Sequence, residues 1–142
     1  MERYYHRLKS YINALEQEDE LFPGHIKVDE FLAYNKIADV FLCQSEHEGF
    51  CVPLVEAMYF DVPVVAYDSS AIAGTLGGGG FLLKDKNPVE TAGVINRVVT
   101  DEALRTQIIK TQQARLADFD HKVIEAQFQT YLDTFINGGR KG

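Results

Sequence analysis

Two carboxylates, Glu48 and Glu56, stand with seven residues between them in the segment Ser45-Glu46-His47-Glu48-Gly49-Phe50-Cys51-Val52-Pro53-Leu54-Val55-Glu56-Ala57-Met58. The pattern places Glu48 in a polar loop and Glu56 about one turn inside a helix that starts near Val52, with Pro53 suited to its first turn. A helix N-terminus between two carboxylates offers unpaired backbone N–H groups and roughly half a positive charge, a natural seat for a phosphate group. Gly49 lets the backbone come close to a ligand. The carboxylates would accept hydrogen bonds from hydroxyl groups. This chemistry suits a ligand with a diphosphate in the middle and a polyol at each end.

The elements that must position this segment are short strands alternating with helices. Ala38 to Cys43 is a brief apolar run, as in a buried parallel strand. Val52 to Phe60 reads as a helix, Val64 to Tyr67 as a second strand and Phe81 to Leu83 as a third. A loop or short helical segment is expected over Asp68 to Leu76. Upstream, Tyr4, Leu8, Tyr11, Ile12 and Leu15 fall at helical spacing, and Asp29 reads as the N-cap of a second helix. Downstream, helices are expected from Asn87-Pro88, from Thr100-Asp101, and through Val123 to Phe135 up to Gly138-Gly139. The fold class implied is α/β, a Rossmann-like parallel sheet flanked by helices. In such sheets ligands bind at the carboxyl ends of the strands, where the loop from Gln44 to Cys51 lies.

The 142 residues fit one domain, expected to span 1–136 with a flexible tail at 137–142. With 46% hydrophobic and 25% charged residues the chain has the composition of a folded globular domain. A net charge of −7 argues against nucleic acid as a partner, while leaving room for a phosphate site built from uncharged N–H groups. No N-terminal apolar run reads as a signal peptide, and no stretch approaches the roughly 18 apolar residues of a spanning helix. The expectation is a cytoplasmic location, peripheral to a membrane when full length.

The same segment resembles the E-x7-E signature of retaining glycosyltransferases of the GT-B fold, family 4 or group 1 type, which includes sucrose synthases and many bacterial cell-envelope transferases. Phe22-Pro23-Gly24-His25-Ile26, Asp29-Glu30, Ala38 to Leu42, Glu56-Ala57-Met58, Pro63 to Ala66 and Gly80 to Pro88 resemble the neighbouring text of that family, in the same order. The resemblance implies the nucleotide-sugar-binding, C-terminal half of a GT-B fold. It implies that Glu48 is the catalytic carboxylate, touching donor-sugar hydroxyls with the backbone of Gly49, Phe50 and Cys51. Val52 and Leu54 N–H groups would face the diphosphate, Glu56 would bind the ribose, and Gly24, His25 and Ile26 would border the base. The donor would be a UDP-sugar or GDP-sugar of hexose type and the acceptor a glycan or lipid. No cofactor and no essential metal are implied. The half that binds the acceptor is expected in cis or in trans. The family's C-terminal domain also begins with two further strands and an Arg/Lys pair that are expected to be missing here, and without those strands the sheet edge at Val40 to Cys43 would favour homo-oligomers. This chain alone is expected to be inactive. The alternative is a noncatalytic sugar-nucleotide-binding or interaction module that pairs with another chain.

Departures from the family pattern favour the alternative. Cys51 stands where a glycine is usual, and Ala73-Gly74-Thr75 lacks an acidic residue often found there. Cys43, His47 and Cys51 recur every four residues, but their path through strand, loop and helix gives no zinc geometry and no fourth ligand. Gly77 to Gly80 lacks the P-loop pattern and reads as a flexible loop. The aromatic stripe Phe128, Tyr131 and Phe135 reads mainly as core.

Overall fold

The computed structural model describes residues 2–17 and 19–138. Helices α1 (Glu2–Ala14) and α2 (Val28–Ile37) precede strand β1 (Phe41–Cys43). Then come α3 (Val52–Tyr59), β2 (Val64–Tyr67), α4 (Ile72–Leu76), β3 (Phe81–Leu83), α5 (Pro88–Thr100) and α6 (Glu102–Leu116). A 3-10 turn (Ala117–Phe119) leads into α7 (His121–Gly138). The chain divides between Phe31 and Leu32 into two compact units.

In the first unit, α1 ends before Leu15, and the rings of Tyr5 and Phe22 meet edge-on at 5.9 Å. The second helix starts earlier than its sequence implies. Asp29 is not its N-cap but lies in the first turn beside Glu30, whose carboxylate accepts the Lys27 N–H at 2.9 Å. That bond is half of a capping box and fixes the start one residue ahead of Asp29.

The second unit is a Rossmann-like α/β layer structure. Its three strands are parallel in the order β1-β2-β3, with Phe41 opposite Val64 and Val65 opposite Phe81. The central strand explains why both faces must be covered. Val64 and Ala66 point into a cluster with Leu54, Met58, Ile72 and Leu76 from α3 and α4. Val65 points the other way, into Leu83, Val98 and Ile108. A strand buried on both sides needs helices on both sides, and the apolar run VVA meets that demand. Asn87 caps α5 by accepting the Val89 and Glu90 N–H groups, with Pro88 at its start, and Asp101 caps α6 through Leu104.

The outer strand β1 has no strand on its far side among the described residues, and Leu42 on it is 41% exposed. The glycine run is packed rather than slack. Gly77 takes φ 52°, and a Cβ there would lie 2.5 Å from Arg115 Nε. At Gly79 and Gly80 a Cβ would come within 3.0 Å of the Leu76 and Val64 carbonyl oxygens. The aromatic stripe is not core: Phe128, Tyr131 and Phe135 on α7 are all exposed. The final helix also continues through Asn137 and Gly138, the first residues of the expected tail, while 139–142 lie outside the described residues. Among the described residues no helix is long and apolar enough to cross a membrane.

Candidate functional site

The loop between β1 and α3 sits at the carboxyl end of the sheet, and neighbouring elements grip it from several directions. Ser69 donates its hydroxyl to the Ser45 carbonyl at 2.6 Å, and Ser70 donates to the Glu46 carbonyl at 3.4 Å. Thr75 donates to the Phe50 carbonyl at 2.5 Å. At the β1 end, Gln44 donates to the Thr91 hydroxyl at 3.3 Å. Lys86 pairs with Glu46 at 2.9 Å and lies 5.1 Å from the centroid of the Tyr67 ring. The Lys86 hydrogen bond and charge hold the Glu46 carboxyl below its ordinary range.

Glu48 sits half-buried in the middle of this loop, and Gly49 and Phe50 are exposed. A Cβ on Gly49 would meet nothing within 4 Å, so the space over its backbone is open and the protein itself does not require glycine there. Cys51 makes the turn into α3 with φ 66° and ψ 68°, the left-handed region that glycine adopts without strain. This conformation gives the physical meaning of the glycine expected there: Cys51 takes the same turn at a steric cost. Its side chain makes no capping bond, so the first turn of α3 receives no side-chain cap from it. The two sulfurs of Cys43 and Cys51 stand 4.0 Å apart, both thiols free and buried. Burial first, then Cys43 and the charge of Glu48, push the Cys51 thiol up to about 11.

Of the two amides expected to face a diphosphate, Leu54 already donates its N–H to the Cys51 carbonyl at 3.0 Å, and its side chain is fully buried. Val52 opens the helix with an exposed side chain. Glu56, half-buried, lines an open groove of about 770 Å³ with Leu32, Val52, Val55 and Tyr59. Loop and helix therefore bring Glu48, Cys51, Val52 and Glu56 into one continuous stretch of structure. Gly24, His25 and Ile26 belong to the other unit; there Gly24 takes φ 66°, His25 is exposed and Ile26 half-buried. No group of three or more His, Cys, Asp or Glu that could hold a metal occurs among the described residues.

Three supporting residues escaped the sequence reading. Gln112 is fully buried, accepting the Val64 N–H and donating to the Val62 carbonyl, both at 2.9 Å. It stands in line with Ile108 and Leu116, and a polar residue on that apolar row is the signal that could have found it. Arg115 donates to the Thr75 and Gly74 carbonyls and covers the Phe119 ring, with the guanidinium carbon 4.6 Å from its centroid. Thr75 itself gives no local pattern, because its partner is 25 residues away in sequence.

A half-Rossmann sheet with a carboxylate loop and a helix N-terminus at its carboxyl edge is an α/β architecture whose ligands bind at the carboxyl ends of the strands. Residues 2–115 match the family model described as glycosyl transferases group 1, and the chain belongs to that family. Two curated sequences from Escherichia coli, each called serotype-specific mannosyltransferase WbdA, are 24% identical to it over 119 residues. That stretch is 84% of this chain and 14% of each relative. The C-terminal domain of a glycosyl transferase group 1 family protein (LpcC) from Francisella tularensis matches with a TM-score of 0.69 at 22% identity. The match covers 81% of this chain and 61% of that one, and establishes the GT-B C-terminal fold.

Proposed function

We propose that the chain binds the donor of a retaining glycosyltransferase, a nucleotide-diphosphate hexose. The observation that carries this reading is the run from Glu48 through the left-handed turn at Cys51 to Glu56, at the carboxyl end of a parallel sheet in a group 1 family member. Glu48 accepts hydrogen bonds from the sugar hydroxyls. The Val52 N–H and the positive end of α3 face the diphosphate, and as it leaves they stabilise its growing charge. Glu56 holds the ribose. The open space over Gly49 supports close approach by a ligand.

The donor base is uridine or guanosine. The names of the two relatives make mannose the first sugar to try. The reaction needs no resident metal in this reading, and transfer goes to a glycan or lipid acceptor bound by a separate domain in cis or in trans. This chain alone does not turn over, and the protein works in the cytoplasm. A second reading, a binding module without catalysis, draws support from Cys51, whose side chain occupies a turn suited to glycine.

The test is an amide NMR titration of the chain with UDP, GDP, UDP-glucose and GDP-mannose. Shifts concentrated on Gly49 to Glu56 support the donor reading, and the ligand that causes them identifies the base. A well-dispersed spectrum that none of the four ligands moves would overturn it.

A further inference from the structure

The loop that carries Glu48 is suspended between two hydroxyl groups on a single neighbouring segment. Ser69 holds the carbonyl of Ser45 at one end and Thr75 holds the carbonyl of Phe50 at the other. We propose that Thr75, assisted by Ser69, is a positioning residue that sets the Glu48 loop and the Cys51 turn for the donor, an inference that rests on the donor reading above.

Thr75 has the properties of an anchor. It is only 3% exposed, so its hydroxyl is held among protein atoms rather than in solvent. Its own position is locked from behind. Arg115 donates Nε to the Thr75 carbonyl at 3.1 Å and Nη2 to the Gly74 carbonyl at 2.8 Å. The absence of a side chain at Gly77 lets that guanidinium lie against α4. The same Arg115 covers the ring of Phe119, which meets the Phe50 ring edge-on at 5.7 Å. Phe50 is thus held through its backbone by Thr75 and through its ring by Phe119, and both holds lead to Arg115. The next residue, Cys51, sits at φ 66° and aims the first turn of α3. A left-handed turn at a non-glycine residue persists only where its surroundings impose it, and the Phe50 carbonyl is the point where they do so.

The experiment compares Thr75→Val, Thr75→Ser and Ser69→Ala with the wild type, using the full chain. Amide hydrogen exchange is read without ligand, and affinity for GDP-mannose and UDP-glucose is read by NMR titration. In Thr75→Val the amides of Gly49 to Cys51 should exchange about tenfold faster, with those of β2 and α5 unchanged, and donor affinity should fall about tenfold, as expected for one lost buried hydrogen bond. Thr75→Ser, which keeps the hydroxyl, should restore both readouts. Ser69→Ala should loosen Glu46 and His47 and weaken the donor to a smaller degree. The proposal is overturned if Thr75→Val leaves the loop amides as they are, or if Thr75→Ser is as damaging as Thr75→Val, which would assign the effect to packing of the methyl group. Should Thr75→Val fail to fold, Thr75→Ser with wild-type exchange and Ser69→Ala with a loosened loop still support the tether, and the reverse pair overturns it. A wild type that binds neither donor sinks the donor reading, and the exchange data then decide the tether by themselves.

Discussion

The sulfur atoms of Cys43 and Cys51 lie 4.0 Å apart, one at the end of β1 and the other at the turn into α3. The contact closes the base of the loop that carries Glu48, so strand, loop and helix meet at a pair of buried thiols. Burial, the neighbouring thiol and the negative charge of Glu48 all oppose ionisation of Cys51.

With its thiol pushed up to about 11, Cys51 should react slowly with iodoacetamide in the folded chain at pH 8, where only about one such thiol in a thousand is ionised. Both cysteines should label fully in urea, as counted by mass spectrometry. The folded chain holds the Cys51 proton more tightly than the unfolded chain does. The stability this contributes is complete at neutral pH and is lost as the pH rises through the ordinary thiol range to about 11. Urea midpoints measured from pH 8 to pH 11 should therefore decline, and should decline less in Cys51→Ala.

The left-handed turn at Cys51 separates two small substitutions. Alanine keeps the Cβ and its strain, whereas glycine removes both, offset in part by the greater freedom of an unfolded glycine. Cys51→Gly should be more stable than Cys51→Ala by about 0.5–1 kcal/mol in chemical denaturation. The opposite order would mean that packing of the Cβ outweighs the backbone strain.

Gln112 replaces a missing strand partner where β2 begins, taking the Val64 N–H and supplying a donor to the Val62 carbonyl. Gln112→Leu fills similar space but leaves both backbone groups buried without partners. The loss should be about 2–4 kcal/mol, read as a lower urea midpoint.

The strands and the covered sheet were legible because period and apolar runs report burial directly. Val64, Val65 and Ala66 had to be shielded on both faces, and they are. The start of α2 was misplaced by two residues, with the cap at Lys27 rather than Asp29, because Asp29 and Glu30 both suit a helix start and only the Glu30 bond to Lys27 decides between them. The Glu48 to Glu56 segment stood out through its residue types. Its supports did not, because Thr75, Gln112 and Arg115 act through carbonyls and amides distant in sequence, and any residue type supplies those. The exposed stripe on α7 shows the converse limit: helical spacing of Phe128, Tyr131 and Phe135 reports an apolar face without telling what covers it.

If Glu48 and Glu56 bind the donor, Glu48→Gln and Glu56→Gln should each weaken nucleotide-sugar affinity by about 1–3 kcal/mol per charged hydrogen bond lost. The two should differ in kind. Free GDP or UDP should feel Glu56→Gln, which alters the ribose contact, and be nearly indifferent to Glu48→Gln. Calorimetric titration with and without the sugar separates them.

An outer strand with an exposed Leu42 and no strand beyond it among the described residues invites pairing with another chain. Light scattering should show association that grows with protein concentration. Leu42→Lys, which places a charge on that edge, should shift the population toward monomer at unchanged urea midpoint.

The glycines at 77, 79 and 80 act together as a mould. The chain passes there between the Arg115 side chain and the carbonyls of Leu76 and Val64, where a methyl group would have to displace its neighbours. A stretch whose composition suggests a linker is thus closely packed at three of its four glycines. The alignment of β3 beside β2 depends on residues defined by what they lack.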